Sequence, residues 1–218
     1  QRAQRPKETK DSLFVIVTGN TSQSAVARSS EEEIDAYILK PYSMQMVRKT
    51  LIKAAFVKIK PPLYLLTIEV GKELLEAGKI AEAEEKFKNA TTLDPSPALA
   101  HYYLGQIRHL KQIMEEARGN FNKGLTYNKI HYKCLIGLYE TLNAMKLHAD
   151  AYEVVKKLSH YFPANPKRLT EVLRLAIVNG QYEDIEKYYS IFINIDDRNE
   201  MLLKYMCAAL LVCGKYYL

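Results

Sequence analysis

The residues of this sequence that could do chemistry are scattered. His101, His109, His131, His148 and His160 never form a close pair with the spacing of metal ligands, and they read as surface or groove residues. Cys134, Cys207 and Cys213 are an odd number on expected helices, which argues against a disulfide framework or a zinc cluster. They read as small apolar fillers in a reducing cytoplasm. No nucleophile stands beside a base, and no Gly-rich loop could cradle a phosphate, so an enzyme is the class with least support. Binding chemistry has more material. The chain holds 16 Tyr against 6 Phe and no Trp. Tyrosine buries a ring while keeping its hydroxyl wet, which suits either a binding surface or the gaps between helices.

The elements that must carry these side chains show a strict period. Ala83, Ala117, Ala151 and Ile185 recur every 34 residues, and Phe87, Phe121, Val155 and Tyr189 keep the same step. Gly71 and Gly105 share one position, Gly78, Gly180 and Gly214 another, and Pro95 and Pro163 a third. Repetition at this length marks stacked helical hairpins that bury their apolar faces only against one another. In the first unit, helix A is expected near Leu65–Ala77, with Leu66, Val70, Leu74 and Leu75 along one stripe. Helix B is expected near Ile80–Thr92, with Ala83, Phe87 and Ala90 on one face. LDPS at Leu93–Ser96 then breaks the helix. The run Met206–Cys213 is too short to span a bilayer, and residues 1–12 lack the apolar core of a signal peptide.

With the glycines, Ala83, Phe87, Ala90 and Pro95 in place, residues 64–218 resemble about four and a half tetratricopeptide (TPR) repeats. The resemblance implies an all-α solenoid that binds a protein partner in a concave groove lined mainly by the first helices. Groove candidates are Tyr64, His101, Tyr102, Arg108, Lys133 and Arg174. The basic and Asn pattern of a peptide-carboxylate clamp is not evident.

Residues 1–60 are organised differently. Leu13–Val17 reads as a buried parallel strand, Ser22 or Ser24 as the cap of a helix to about Ser29, and Tyr37-Ile38-Leu39 as a second strand. Ser43 is expected to cap an amphipathic helix with Met46, Val47, Leu51, Ala54 and Ala55 inward. VIVTGN and EEEIDAYILKPYSMQMVRKTL resemble the second half of a response-regulator receiver domain, an α/β, flavodoxin-like fold. That resemblance implies that Thr18 contacts a phosphoryl group, that Lys40 pairs with its oxygens before a cis bond to Pro41, and that Tyr37 is the switch aromatic. It also implies Mg2+ for an intact receiver and a sensor histidine kinase for the parent protein. On the residues alone, Thr18 could be a helix cap, Tyr37 a packing residue and Lys40 a solvated strand end.

The phosphoacceptor aspartate and the acidic Mg2+ ligands have no counterparts here, because Asp11 and Asp35 fall at the wrong places. The chain itself therefore holds no cofactor, and it reads as a fragment. The expectation is a cytoplasmic two-component response regulator whose repeats bind a partner under receiver phosphorylation. The alternative is a constitutive TPR scaffold or oligomerisation module with a degenerate receiver. Pairing with a second copy stays open. Membrane attachment has no support, and nucleic-acid binding rests only on the net charge of +6.

Overall fold

In a computed structural model of the chain, residues 12–19, 34–162, 166–194 and 199–214 are described. The expected helix at Ser22–Ser29, residues 1–11, Pro163 and Tyr216 lie outside them. Strand β1 (Val15–Thr18) pairs in parallel with β2 (Ala36–Leu39), Val15 opposite Ala36 and Thr18 opposite Leu39. Helix α1 (Met44–Ile59) follows, capped as expected by the Ser43 hydroxyl, which accepts from Met46 N at 3.1 Å. Asp35 ties these pieces together. Its Oδ2 accepts from Phe14 N at 2.7 Å and from Lys58 Nζ at 3.1 Å.

Two expectations in this region need correction. β1 is only half-buried, with Val17 exposed, because α1 packs mainly against β2. On α1, Met46 faces solvent, while Val47, Leu51, Ala54 and Ala55 turn inward. Two short strands are all the sheet that the described residues hold, which falls short of a receiver domain.

From Leu63 the chain is a row of antiparallel helix pairs. The first helices are α2 (Leu63–Glu76), α4 (Ala98–Leu110), α6 (Tyr132–Ala144), α8 (Pro166–Val178) and α10 (Glu200–Val212). The second helices are α3 (Ile80–Ala90), α5 (Met114–Tyr127), α7 (His148–Tyr161) and α9 (Ile185–Phe192), the last preceded by a 3-10 turn. The 34-residue grid is the core: Ala83, Ala117, Ala151, Ile185, Phe87 and Phe121 are all fully buried. Small residues let the helices approach this closely. A Cβ on Gly71 would sit 2.5 Å from the Phe87 ring, and one on Gly105 would sit 2.6 Å from Phe121.

The first repeat departs from the expected stripe. Tyr64, Ile68 and Gly71 form the buried face of α2, while Leu66 and Val70 are exposed. Ile68 and Gly71 meet α3, and the Tyr64 ring reaches the next repeat. Leu66 and Val70 point away from both.

The turn within each hairpin repeats atom for atom. Lys79 N donates to Leu74 O and Gly78 N to Leu75 O, and the same pair of bonds recurs at Ile113/Gln112, Leu147/Lys146 and Gln181/Gly180. This double closure needs a left-handed residue at its second-last position. Gly78, Gly180 and Gly214 supply it with φ of 73°, 66° and 65°. Gln112 and Lys146 occupy the same position with φ of 60° and 59°, where a side chain costs roughly 1–2 kcal/mol. Gln112→Gly and Lys146→Gly are therefore each expected to stabilise the fold by about 0.5–1 kcal/mol. Thermal melts should rise by roughly 2–4 °C per substitution, and an unchanged or lower midpoint would contradict the strain.

Candidate functional site

The side chains that the fold leaves open on the first helices form the candidate site. On α6 the outward residues are Lys133, Ile136, Glu140 and Asn143; on α8 they include Lys167, Glu171 and Arg174. These three- and four-residue steps make one face per helix. Sequence logic explains the split, since Leu135, Leu138 and Leu142 hold the other face of α6 in the core.

Hydrogen bonds lock this surface across two repeats. Tyr139 Oη donates to Glu171 Oε2 at 2.6 Å, Arg174 Nε donates to the same oxygen at 2.9 Å, and Arg174 Nη2 donates to Asn143 Oδ1 at 2.9 Å. Burial, with the hydrogen bond to Glu171, raises the Tyr139 hydroxyl well above the usual tyrosine range, so it stays a donor. Next along the face, Lys133 Nζ lies 5.9 Å from the centre of the Tyr102 ring. Behind it, the Thr141 hydroxyl donates to Gly137 O at 2.7 Å, so the 2.9 Å bond between Thr141 Oγ1 and His109 Nδ1 must be donated by the histidine. The result is a rigid row of aromatic, cationic, anionic and amide groups suited to recognition.

Of the six candidates read from the sequence, Tyr102, Lys133 and Arg174 belong to this surface. The other three do not. Tyr64 is buried between repeats, its Oη accepting from Ala100 N at 3.2 Å. His101 turns toward its own hairpin partner and stacks on Tyr127 at 5.8 Å. Arg108 is held by Glu84 at 2.8 Å and Glu116 at 2.7 Å, where the first two repeats join. Tyr139, Glu171 and Asn143 were not singled out. Their one sequence signal is the three- and four-residue spacing on helices whose apolar positions are already taken.

Other chemistry-bearing residues are structural. His131 caps α6, its Nδ1 accepting from Cys134 N at 3.2 Å, and burial with the nearby Lys133 charge pushes its pKa down to about 4. Burial pushes the Cys134 thiol up to about 12, which leaves it inert. Cys207 is exposed, against the expectation of a filler. The guanidinium of Arg168 lies 5.4 Å from the Tyr132 and Phe162 ring centres and donates to Phe162 O. On the side of the second helices, a cavity of about 680 Å³ opens between α5 and α7, floored by Leu135, Leu138 and Leu142.

At the other end of the chain, Thr18 and Lys40 close neighbouring strands: Lys40 N donates to Thr18 O at 2.7 Å, and the Lys40–Pro41 bond is cis. Tyr37 is half-buried on β2, opposite Ile16. Among the described residues, no three His, Cys, Asp or Glu side chains gather as metal ligands, and no helix is long and apolar enough to cross a membrane.

Comparison with known proteins agrees with the helical part. Residues 71–112 match the family model of the TPR repeat. Among solved structures, the chain is similar to YrrB, a TPR protein with an unusual peptide-binding site, at 14% identity over 72% of this chain and 81% of that one, TM-score 0.58. It is also similar to PilF of Pseudomonas aeruginosa, at 16% identity over 88% and 84% of the two chains, TM-score 0.55. MamA of Desulfovibrio magneticus RS-1 matches at 16% identity over 69% and 85%, TM-score 0.55. Identities this low speak for a shared fold only. No curated protein matches the chain in sequence.

Proposed function

From TPR repeats stacked in an all-α solenoid, we propose a scaffold that binds a segment of a protein partner along its first helices. The observation that carries this reading is the pre-bonded row Tyr139–Glu171–Arg174–Asn143, with Tyr102 and Lys133 beside it. Groups already fixed in place lose little entropy when a partner docks. YrrB, of like fold, is described with a peptide-binding site. A peptide-display selection against the chain is expected to yield binders, and Lys133→Ala is expected to weaken them about tenfold without lowering stability appreciably, whereas Arg174→Ala weakens them as much and also costs about 1 kcal/mol of stability through its lost bonds to Glu171 and Asn143. Selected peptides that bind both variants unchanged would place the site elsewhere.

A second reading adds control by a receiver-like element. It is favoured by the parallel strands that end together at Thr18 and Lys40. In this reading Thr18 and Lys40 hold a phosphoryl group, Tyr37 relays its presence, and α1 carries the change into the first repeat. The same peptides test it: if their affinity for the full-length protein is unchanged by an acyl-phosphate mimic with Mg2+, the repeats act constitutively.

A further inference from the structure

The seams between successive second helices use the same positions of the 34-residue grid. Glu84, Arg118 and Tyr152 share one position, and Lys88, Asn122 and Lys156 the next. Across each seam stand Glu116, Asp150 and Asp184 in turn. Two of these seams are bridged. Between α3 and α5, Arg108 of α4 joins Glu84 at 2.8 Å to Glu116 at 2.7 Å. Between α7 and the turn before α9, Tyr152 Oη and Lys156 Nζ both donate to Asp184 Oδ2 at 2.6 Å. Between α5 and α7, no hydrogen bond or ion pair crosses among the described residues. Arg118 turns to Glu115 of its own helix at 3.2 Å, and Leu142 holds the grid position of Arg108. The cavity of about 680 Å³ is this unbridged seam.

Its charges are sorted along its length. Asp150 and Glu153 line one end, where Arg118 is held by Glu115. Lys129 and Lys157 line the other end beside Tyr161, and neither lysine has an ion-pair partner among the described residues. Leu135, Leu138 and Leu142 floor the middle. They are at most 6% exposed, so the cleft tapers and admits side chains rather than a whole helix. From Arg118 to Tyr127 the helix advances about 14 Å, the length of about four extended residues. We propose that the cleft takes an extended segment of a protein partner. Its apolar side chains sit over the leucine floor, its carboxylates meet Lys129 and Lys157, and a cationic group meets Asp150 and Glu153. None of the cleft residues belongs to the row on α6 and α8, so this site stands or falls apart from the one proposed there.

Three labelled hexapeptides test it by fluorescence anisotropy. Each has a lysine at one end, two glutamates at the other, and serine alternating with Leu, Ile or Phe between. At least one is expected to bind the whole chain with Kd on the order of 100 µM. Lys129→Glu with Lys157→Glu is expected to weaken it at least ~10-fold, and a peptide with lysines in place of the glutamates is expected to recover the loss. Arg118→Tyr with Asn122→Lys copies the bridge of the neighbouring seam onto Asp150 and is expected to abolish binding. Both pairs change residues outside the buried core, and circular dichroism checks that the variants fold. No binding up to about 1 mM would overturn the proposal, as would binding that both double variants leave unchanged. Binding lost in Lys133→Ala instead would move the peptides to the first helices and overturn it too. A chain that ignores the peptides but binds dodecanoate would make the cleft a fatty-acid site, against the proposal.

Discussion

Replacing Phe121 by alanine is expected to lower the unfolding free energy by about 3–5 kcal/mol, the upper range for a buried aromatic. The ring is fully buried between the first helices of two successive repeats. A Cβ on Gly105 would meet it at 2.6 Å from one side, and a Cβ on Gly137 at 2.4 Å from the other. These two walls are bare helix backbone and cannot move in, so Tyr102, whose ring centre lies 6.2 Å away, can refill only part of the space left behind. Most of the cavity cost should therefore remain.

Phe121 also couples neighbours in a fold whose stability is a sum over adjacent repeats. Urea unfolding followed by circular dichroism should show a loss of midpoint together with a shallower transition, as the N-terminal and C-terminal repeats begin to unfold separately. Gly137→Ala is the reciprocal test. Helix propensity alone would favour alanine by about 1 kcal/mol, but a clash with a ring pinned on both sides should reverse the sign and cost roughly 1–3 kcal/mol. A stabilised Gly137→Ala chain would mean that Phe121 is not clamped.

These two glycines show where the sequence was readable. Gly105 shares its place on the 34-residue grid with Gly71, which marks it as a repeat position. Gly137 lies off it, two residues before the position that Gly71 and Gly105 occupy, and no period marks it. The repeat boundaries and the Ser43 cap were legible because each depends on local chemistry: small residues at fixed steps, or a hydroxyl before an apolar run. The turn was marked in the sequence by the shared grid position of Gly78, Gly180 and Gly214. It was hidden at Gln112 and Lys146, where packing of the flanking helices imposes the conformation on residues that resist it.

The candidate site was half legible for a similar reason. The first helices could be assigned, but a polar residue on such a helix can face the groove, its hairpin partner or the next repeat. Arg174 and Lys133 lie on the outward face of the first helices, His101 turns to its hairpin partner, and Tyr64 to the next repeat. Arg168 was missed because a buried guanidinium between Tyr132 and Phe162 has no apolar period to betray it.

Arg108 was assigned to the wrong surface, and its true place leads to the second large effect. Glu84 is almost buried on α3 and faces three cations: Lys111 Nζ at 2.8 Å, Lys88 Nζ at 2.8 Å, and the Arg108 guanidinium at 2.8 and 3.2 Å. Hydrogen bonds from Lys111 and Lys88, helped by Arg108 and opposed by burial, hold its carboxyl at about 2, below the usual 4.5. Glu84→Gln would leave three positive groups crowded at the joint of the first two repeats. Breaking a pair of this kind costs about 2–4 kcal/mol near neutral pH.

The pH dependence separates charge from shape. Between about pH 4.5 and 2 the unfolded chain binds a proton at Glu84 that the folded chain does not, so stability rises with pH across that window. The contribution is complete above pH 4.5 and fades as pH falls toward 2. Glu84→Gln lacks this slope, so its stability curve should converge on that of the unaltered chain in acid and diverge toward neutrality. Lys88→Ala should change little, because Lys88 is the most exposed of the three cations. Arg108→Ala should cost nearly as much as Glu84→Gln, since it removes the bidentate partner and frees Glu116 as well. Urea titrations from pH 3 to 7 would read this directly. Parallel curves for the two chains would mean that Glu84 acts by packing, and that the cations around it contribute nothing that depends on its charge.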